Sequence, residues 1–304
     1  MNVTFRQLRL FLALAESGSV SAAARAMHVT QPTASMQLKE ITQSVGLPLY
    51  EVIGKKIHLT EVGRELASTA RAMTLSWEVF EQHVDAIQGL SRGKLRIAVV
   101  STAKYFMPHL IGSFCKKHSS IDVSLEILNR DGVVQRLRER RDDLYIMSQP
   151  PADMALVDEV LMPNPIVVIA PMADPFTKKR GIVLNDLETR RFILREPGSG
   201  TRMAADQHFR RKKFRPDVRL ELGSNEAVKE SVAGGLGIGV VSRHALHGLD
   251  KENGVRVVNV EDFPLPSAWH MVHHAGQKLS PVAVAFRQHV LTQNQATRRK
   301  AAAR

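Results

Sequence analysis

Hydrophobic positions at the start of the chain recur every three or four residues, which is the spacing of amphipathic helices. A capping box formed by Thr4 and Gln7 predicts where the first helix begins, and Gly18 predicts where it ends. The predicted buried face of this helix consists of Leu8, Phe11, Leu12 and Ala15.

A second helix is predicted in "SAAARAM", with Ser19 or Ser21 as its N-cap. Its alanines are short enough to let another helix cross at close range. A third helix is predicted after Thr30, a good N-cap, with Pro32 in the first turn, where a missing N–H costs little. The apolar stripe of this third helix is narrow and consists of Ala34, Leu38 and Ile41.

These two helices form the pattern of a helix-turn-helix, in which a small-residue helix holds a second helix so that its polar face meets a DNA groove. The segment "YEVIGKKIHLTEVG" then predicts a short β-hairpin with Gly54, Lys55 and Lys56 at its tip. A basic tip of this kind reaches phosphates or the minor groove. Other helical hairpins also have alanine-rich contacts, so a merely solvated polar face is the alternative that the residues alone leave open.

From Glu61 the pattern predicts one long helix of about thirty residues, roughly 45 Å in length. Apolar residues recur along it with heptad-like spacing and form one continuous seam. The seam consists of Val62, Leu66, Ala70, Met73, Trp77, Phe80, Val84 and Ile87. It needs cover, either from the chain's own N-terminal domain or from a second chain, and pairing of two chains is the favoured hypothesis. The segment "GLSRGK" then predicts a break and a hinge.

Beyond this break, β-like runs alternate with helical stretches, which predicts an α/β domain with largely parallel strands. The runs are "LRIAVV", "VSLEIL", "DLYIMS", "PIVVIAP", "RFILRE", "VRLELG", "GIGVVS", "VRVVNV" and "WHMVHH". Sheets of this kind bind ligands outside the carboxyl ends of their strands. Two predicted strand ends carry suitable side chains: Ser101 and Thr102 follow one, and residues 198–202 follow another.

The chain of 304 residues carries a formal net charge of +12, which suggests a polyanionic partner. Residues 1–60 have a net charge of +3 and residues 61–90 of −3, so the whole excess lies beyond residue 90. Net charge therefore does not locate a nucleic-acid site. The basic run "FRRKKFR" at 209–215 is interpreted as an exposed helix end.

No apolar run reaches the roughly 18 to 20 residues of a membrane span, and the N-terminus lacks the features of a signal peptide, so the expected location is the cytoplasm. The single cysteine, Cys115, excludes an intrachain disulfide. The histidines form no convincing metal set, and "GGLGIG" runs from a helix into a strand, the reverse of a phosphate loop. We therefore expect no metal and no cofactor.

The chain resembles the LysR-type transcriptional regulators over nearly its whole length. The segment from Phe5 to Gly63 is similar to the winged helix-turn-helix of that family from end to end. Later segments resemble more narrowly the CbbR subgroup, the regulators of Calvin-cycle carbon-fixation operons. These segments are "VVSTAKYFMPHLIGSFCKKHSSIDVSLEILNRD", "DDLYIMSQPP", "FILREPGSGTR", "ELGSNEAVKESVAGGLGIGVVSRHAL" and "LSPVAVAF".

The resemblance implies an α+β multidomain protein whose C-terminal part is a two-lobed α/β domain like a periplasmic binding protein. The expected domains are a winged helix-turn-helix in residues 1–60, a dimerising linker helix in 61–90 and an effector-binding domain in 91–298. Within the effector-binding domain, lobe I is expected in residues 93–163 and 267–298 and lobe II in 164–266, before a disordered tail in 299–304.

The resemblance also implies a homodimer or homotetramer that binds double-stranded promoter DNA and a small effector. RNA polymerase is a further candidate partner, and no membrane association is expected. The predicted DNA-binding residues are Thr30, Gln31, Pro32, Thr33, Ser35, Met36, Lys39, Lys55 and Lys56. Met36 stands where many family members carry a basic residue, so we expect an apolar contact there, such as one to a thymine methyl, with Lys39 compensating.

For the effector, the loops at the strand ends offer hydroxyl, amide and guanidinium donors suited to an anion. The predicted effector-binding residues are Ser101, Thr102, Gln149, Ser199, Thr201, Arg202 and Asn225. The alternative is that Ser199 and Thr201 only cap the following helix and that Arg202 is solvated.

The main prediction is a DNA-binding regulator, not an enzyme. The alternative is an α/β enzyme with an accessory helical domain that acts on a phosphorylated metabolite, but no motif brings together a nucleophile, a base and an orienting group. A purely architectural nucleic-acid binder is a third hypothesis, and it would leave the C-terminal two-lobed domain without a purpose.

Overall fold

The computed structural model describes residues 2–54, 56–87, 92–246 and 254–302. The chain forms two compact units, one made mainly of the first ninety residues and one made of nearly all the rest. The N-terminal unit consists of α1 (Phe5–Ser17), α2 (Val20–Ala26), α3 (Gln31–Val45), β1 (Tyr50–Ile53), β2 (Lys56–Leu59) and α4 (Glu61–Ile87).

Local signals fix both ends of α1 as predicted. The Thr4 hydroxyl accepts a hydrogen bond from the Gln7 N–H, and the Gln7 side-chain oxygen accepts one from the Thr4 N–H. Gly18 ends the helix in the left-handed conformation, with φ at 63°. The predicted buried face was partly wrong, because the helix packs on the side that carries Leu8, Leu10, Phe11 and Leu14 and leaves Leu12 and Ala15 half-buried.

The alanines of α2 lie in the core of the N-terminal unit. Ser19, one of the two predicted N-caps, accepts a hydrogen bond from the Ala22 N–H and starts the helix. Ala23 and Ala24 are buried in the same cluster as Ala34 of α3. The close approach that the small side chains allow therefore does hold α3 against α2.

The two halves of α4 differ in their surroundings. The first half packs against the N-terminal core through Val62, Leu66 and Ala67. The second half carries the large exposed side chains of the predicted seam, namely Met73, Trp77, Phe80 and Ile87. The seam is thus covered within the unit at its start and at Ala70, and the ring of Trp77 contacts that of Phe5, whereas the four large side chains keep much of their surface in water. Residues 88–90 of the expected linker lie outside the described residues.

The C-terminal unit combines two sheets with flanking helices. Its strands are β3 (Gly93–Val100), β4 (Ile121–Leu128), β5 (Leu144–Met147), β6 (Leu156–Pro163), β7 (Ile166–Pro171), β8 (Arg191–Arg195), β9 (Asp217–Leu222), β10 (Ile238–Ser242), β11 (Val255–Val258) and β12 (Ala268–His274). Its α-helices are α5 (Met107–Cys115), α6 (Arg130–Arg138), α7 (Gly200–Arg211), α8 (Asn225–Ala233) and α9 (Pro281–Ala302).

Both sheets are mixed, which corrects the expectation of largely parallel strands. Sheet 1 has the order β4-β3-β5-β12-β6, with β3 parallel to its neighbours and β12 antiparallel to its neighbours. Sheet 2 has the order β11-β7-β10-β8-β9, with β8 parallel to its neighbours and β7 antiparallel to its neighbours. The chain passes from sheet 1 to sheet 2 between β6 and β7 and returns between β11 and β12. A strand that the chain enters from the other sheet can pair antiparallel with its neighbour, because such a pair needs no helical crossover. We call the part built on sheet 1 lobe I and the part built on sheet 2 lobe II.

Each of the nine predicted β-runs contains a strand, but β6 was not predicted. This strand lies at the edge of sheet 1 and carries two acidic residues in its middle. Asp158 pairs with His270 at 2.7 Å, and Glu159 pairs with Arg287 of α9. Edge strands tolerate charged side chains, so the acidic pair hid the β-pattern from sequence reasoning.

Each lobe has its own aromatic core. In lobe I the rings of Phe114 and Phe286 meet edge to face, with centroids 5.1 Å apart, and Trp269 is fully buried. In lobe II the ring of Phe192 packs edge to face on Phe209, with centroids 5.8 Å apart. These cores fix the strand ends that carry the candidate ligand residues.

The last helix, α9, extends further than expected. It runs to Ala302, so residues 299–302, expected in a disordered tail, are helical, while residues 303–304 lie outside the described residues. Alanine, arginine and lysine have high helix propensity, which allows a helix without an apolar pattern. Across the described residues, no helix is both long and apolar enough to cross a membrane.

Candidate functional site

The surface of α3 is divided into a buried and an exposed side, as predicted. Ala34, Leu38 and Ile41 are fully buried against α1 and α2. On the other side Met36 is 57% exposed, and Gln31, Pro32 and Lys39 are exposed with it. Helix packing alone therefore turns these predicted DNA-binding side chains outward.

The N-terminal end of α3 uses two predicted DNA-binding residues in its own cap. Thr30 accepts a hydrogen bond from the Thr33 N–H, and the two threonine hydroxyls are hydrogen-bonded at 2.8 Å. Ser35 is half-buried one turn further along. The hydroxyl of Thr33 is therefore held in place by the cap, while Gln31 and Met36 are free to move against a partner.

The predicted hairpin is formed by β1 and β2, which pair antiparallel with Ile53 opposite Lys56. Lys56 is exposed, as its predicted role requires, and Lys55 lies outside the described residues. Val52 and Ile53 are 65% and 61% exposed beside it, which sequence reasoning overlooked. The hairpin thus presents apolar as well as basic side chains to solvent.

A second group of polar residues lies where lobe I and lobe II meet, and we call it the inter-lobe site. Four loops build it, each at the carboxyl end of a parallel strand: 101–105 after β3, 148–149 after β5, 196–200 after β8 and 223–226 after β9. The loops touch closely, since a Cβ on Gly200 would lie 2.4 Å from the Ser148 hydroxyl. Loops in this position are the usual ligand-binding elements of α/β sheets.

Arg195, the last residue of β8, places a buried positive charge in the inter-lobe site. Its Nε and Nη2 atoms donate to the Glu196 carboxylate at 2.8 and 3.0 Å, and Nη2 also donates to the Ser101 hydroxyl at 3.2 Å. The residue is 1% exposed, and its Nη1 atom has no hydrogen-bond partner among the described residues. A buried guanidinium with a free N–H is suited to a carboxylate or a phosphate.

Uncharged polar groups without partners lie next to Arg195. Asn225, at the start of α8, is 1% exposed, and neither atom of its amide makes a hydrogen bond of good geometry within the described structure. It follows Gly223, whose carbonyl oxygen accepts from Arg195 at 3.4 Å. Ser199 and Thr201 are buried at the start of α7, and the Ser199 hydroxyl does not cap that helix. The capping alternative is therefore wrong for the Ser199 side chain.

Thr102 and Gln149 lie in two loops of the inter-lobe site and form hydrogen bonds with other residues of the protein. The Thr102 hydroxyl is buried and accepts from the indole N–H of Trp269 at 3.0 Å. The carbonyl oxygen of Gln149 accepts two hydrogen bonds from Arg130, at 2.9 and 2.7 Å. These contacts fix the backbone of the loops after β3 and β5.

Arg202 has carboxylate partners within lobe II, so it is not the solvated arginine of the alternative, while its contact with an effector stays a prediction. Its Nε atom lies 2.9 Å from both carboxylate oxygens of Asp206, and Nη1 donates to Glu221 at 2.5 Å. Burial acts to lower the pKa of Arg202, but the hydrogen bonds to these two carboxylates raise it overall. Nη1 also donates to the Arg195 carbonyl oxygen at 2.8 Å. Arg202 is thus compensated within lobe II and supports the backbone of Arg195, which sequence reasoning missed.

Glu226 connects the two lobes beside Arg195. Its carboxylate accepts hydrogen bonds from Lys104 at 2.8 Å and from the Tyr105 hydroxyl at 2.5 Å, and we call these three residues the Glu226 latch. Burial and the hydrogen bond to Glu226 raise the pKa of Tyr105, whereas Arg195 and Asn225 act in the opposite direction. Burial tends to raise the pKa of Glu226, but the hydrogen bonds from Lys104 and Tyr105 lower it overall. An anion near Arg195 therefore faces an ionised carboxylate.

Sequence reasoning missed Arg195 and the Glu226 latch for different reasons. Arg195 ends an apolar run, and its place at the carboxyl end of a parallel strand was a usable signal. Lys104 and Glu226 are far apart in the chain and meet only in the folded unit. No local pattern could have paired them.

Two family models match the chain. The model described as "Bacterial regulatory helix-turn-helix protein, lysR family" matches residues 5–64. The model described as "LysR substrate binding domain" matches residues 88–295. The two matches correspond to the parts of the chain that contain α3 and the inter-lobe site.

Similar proteins include regulators and solved regulatory domains. The RuBisCO operon transcriptional regulator of Acidithiobacillus ferrooxidans is 41% identical over 95% of this chain and 94% of its own length. The Synechocystis PCC6803 CcmR regulatory domain, solved in complex with 2-PG, is 39% identical, with a TM-score of 0.65 over 67% of this chain and 98% of that one. Full-length OxyR from Pseudomonas aeruginosa is 22% identical, with a TM-score of 0.72 over 96% of this chain and 97% of its own, and shares the fold.

Proposed function

Because the chain belongs to the LysR family of bacterial transcriptional regulators, we propose that it controls carbon-fixation genes in response to a small anion bound at the inter-lobe site. As a family member it is a DNA-binding regulator with an effector-binding domain, and it is not an enzyme. Regulators of this family act as oligomers on promoter DNA.

Two similar proteins support the carbon-fixation role. One is named a RuBisCO operon transcriptional regulator and matches 95% of this chain. The other is a regulatory domain solved with 2-PG, and 98% of its length aligns with this chain. We therefore take 2-PG as the first effector to test on this chain.

The free Nη1 atom of Arg195 is the observation that carries the effector proposal. A buried N–H without a partner is costly, and an anion that accepts from it removes that cost. The Ser101 hydroxyl accepts from Arg195. Ser199, Thr201 and Asn225 are buried polar residues of the same group of loops, and they are the proposed further uncharged contacts. Thr102 and Gln149 shape the loops, and Arg202 acts only through the backbone of Arg195.

The Glu226 latch gives the effector a way to act on the lobes. An anion beside Arg195 repels the Glu226 carboxylate and competes for Lys104. The unliganded and liganded lobes then differ in which contacts join them. An effector shifts such an equilibrium only as far as it binds one arrangement more tightly than the other.

On the DNA side, α3 is proposed as the reading helix in the major groove and the hairpin as the wing. Gln31, Pro32 and Met36 are the exposed candidates for base contacts, and Thr30, Thr33 and Ser35 form the end of the helix that approaches the backbone. The proposed phosphate contacts are Lys39, Lys55 and Lys56.

The domain limits follow from this assignment. We place the winged helix-turn-helix in residues 1–60, the linker helix in 61–90 and the effector-binding domain from residue 91 onward. The exposed half of α4 pairs with a second copy. A regulator of this kind works where the chromosome is, so the cytoplasm is the proposed location.

The assignment as a regulator is tested by measuring how tightly the purified chain binds its own upstream promoter DNA and a random duplex at moderate salt. Specific protein–DNA complexes are typically at least about 1,000-fold tighter than non-specific ones. We expect a preference of this order, and addition of 2-PG should change the affinity or the footprint on the promoter.

Equal affinity for promoter and random DNA would remove the regulator assignment. A clear promoter preference without any effect of 2-PG would retain the regulator and exclude 2-PG as its effector. The genes next to the coding sequence provide a second test, since a neighbouring carbon-fixation operon is expected.

A further inference from the structure

Two basic runs on lobe II have no part in the sites described above. The first, residues 178–180, has the sequence Lys-Lys-Arg, and all three residues are exposed. The second extends from Arg210 to Arg215 and carries five exposed cations around the buried Phe214. From its sequence alone, this second run is expected to be only an exposed helix end.

The fold brings the two runs together on one surface. Ile182, just after the first run, forms a β-bridge with Val260, and its carbonyl oxygen accepts from the Glu261 N–H at 2.7 Å. Lys212 of the second run lies 2.6 Å from the Asp262 carboxylate. The segment 260–262 thus lies between the runs, and we call the whole surface the lobe II patch.

Most cations of the lobe II patch are not compensated. Eight lysines and arginines stand against two carboxylates, those of Glu261 and Asp262, and only Lys212 among the eight forms an ion pair with a described residue. Ordinary protein surfaces intersperse both signs of charge, and a surface of one sign raises the local concentration of a partner with the opposite sign.

The low net charge of the N-terminal unit favours DNA as the partner of the lobe II patch. Residues 1–60, which contain the proposed DNA-reading helix, carry a net charge of only +3, and residues 61–90 cancel it with −3. The N-terminal unit as a whole therefore contributes little long-range attraction to a polyanion. The positive excess of the chain lies wholly beyond residue 90, and the lobe II patch is a concentrated part of it. We propose that the lobe II patch is a second DNA-contacting surface, which binds the phosphate backbone of promoter DNA outside the bases read by α3.

The experiment compares two duplexes with the full chain. The short duplex ends at the bases that the winged helix-turn-helix domains protect, and the long duplex extends roughly two helical turns, about 20 bp, beyond them on each side. Lys178, Arg180 and Arg215 are exposed and form no ion pair with described residues, so K178Q/R180Q/R215Q should fold normally. Affinity is measured over a series of salt concentrations.

For the triple variant, the slope of log affinity against log salt on the long duplex should fall by about 2 to 3, since each lost phosphate contact removes about 0.9. On the short duplex the slope should not change. Sequence preference should be the same on both, because phosphate contacts carry no base information.

The matched control is K116Q/K117Q/K278Q, which removes three exposed cations from lobe I. It should leave both slopes unchanged, and the charge-preserving K178R/R180K/R215K should retain the wild-type slope. Equal losses for both glutamine triples, or the same slope as wild type for K178Q/R180Q/R215Q on the long duplex, would overturn the proposal.

A triple variant that binds both duplexes normally but fails to activate transcription would also overturn it, and would indicate an acidic protein as the partner. These outcomes are distinct from failure of the proposed function. In that case the wild-type chain itself shows no promoter preference on either duplex.

Discussion

The third helix carries its candidate DNA contacts on the outside, whereas the inter-lobe site carries its candidate ligand contacts inside. Along α3, packing of Ala34, Leu38 and Ile41 turns a continuous stretch of side chains into water. At the inter-lobe site, four loops bury Arg195 and Asn225 without satisfying all their polar atoms. A long polymer is read by an exposed surface, and a small ion by a buried set of unfilled hydrogen bonds.

The difference has an energetic consequence. Exposed donors on α3 are hydrated in the free protein, so they cost little when DNA is absent. Each buried polar group without a partner costs about 1–3 kcal/mol. The Arg195 Nη1 atom has no hydrogen-bond partner among the described residues, so an anion that accepts from it should raise the stability of the C-terminal unit.

The largest expected effect separates two arginines of lobe II. R195A should weaken binding of 2-PG about 30-fold or more, because loss of a buried hydrogen-bonded charge costs about 2–5 kcal/mol. R202A removes the same charge from the same lobe, but its guanidinium is taken up by Asp206 and Glu221. It should lower the melting temperature and change the affinity less than about threefold, within the effect of a distant charge. Titration calorimetry and thermal unfolding measure both quantities.

The reverse result, with R202A abolishing binding and R195A retaining it, would restore the expectation from sequence and remove Arg195 from the site. Loss of binding in both variants would leave the two arginines undistinguished, so R195K provides the deciding measurement. It keeps the charge but loses the forked geometry, and we expect an intermediate affinity.

A second comparison uses two buried asparagines. N225A should weaken 2-PG binding about tenfold, yet leave the free energy of unfolding unchanged or raise it by up to about 1 kcal/mol, since no hydrogen bond of good geometry to the wild-type amide is formed within the described structure. The control is N164A, because the Asn164 side-chain oxygen accepts from Ser242 at 2.6 Å. N164A should lower the free energy of unfolding by about 1–2 kcal/mol without affecting 2-PG. Denaturant unfolding with and without 2-PG gives the stability and the 2-PG affinity of both variants. A loss of stability in N225A would contradict an Asn225 amide without hydrogen-bond partners.

On the α3 side, M36K tests whether the exposed position faces the backbone. A lysine there should raise affinity for promoter and random DNA alike, by roughly fivefold at low salt, and increase the salt slope by about 1. M36Q is the uncharged control and should leave the slope unchanged. Fluorescence anisotropy with both duplexes measures this. An unaltered slope in M36K would place residue 36 away from phosphates.

The smallest expected effect concerns the Glu226 latch. E226Q removes a carboxylate that faces the incoming anion, so 2-PG should bind about threefold more tightly, as expected for about 0.7 kcal/mol of repulsion between two charges roughly 6 Å apart in water. The hydrogen bonds that lower the pKa of Glu226 keep it ionised above its unfolded pKa, so the difference between E226Q and wild type should be constant from about pH 6 to pH 8. E230Q, on the same helix, is the control. Weaker binding by E226Q would mean that the carboxylate helps to hold the effector.

Structural features that depend only on neighbouring residues in the chain could be predicted from the sequence. The caps at Thr4, Ser19 and Thr30 and the stripe of α3 need only neighbours within one or two turns, and all were predicted. The nine β-runs were recognised because their strands are rich in buried apolar residues. The edge strand β6 was missed since its charged middle is stabilised by partners from β12 and α9. The prediction of largely parallel strands was wrong, because the direction of a strand depends on which sheet the chain enters.

The candidate sites show the same division. The exposed face of α3 follows from the apolar stripe opposite to it, so Gln31, Met36 and Lys39 could be found in one helix. The inter-lobe loops were located, but the charge was assigned to Arg202 where Arg195 carries the open donor. Both arginines form ion pairs, Arg202 with Asp206 and Glu221 and Arg195 with Glu196. Only Arg195 keeps an Nη1 atom without a partner among the described residues, and this is a matter of three-dimensional neighbours.

The exposed half of α4 makes the amount of the protein a control variable in its own right. With α4 paired as we propose, Met73, Trp77 and Phe80 leave water when two copies meet, so the DNA-competent species would be second order in protein concentration when copies are scarce. Promoter occupancy then rises more steeply than the supply of chains. A cell that doubles its synthesis of this regulator gains more than a doubling of response before any effector has bound.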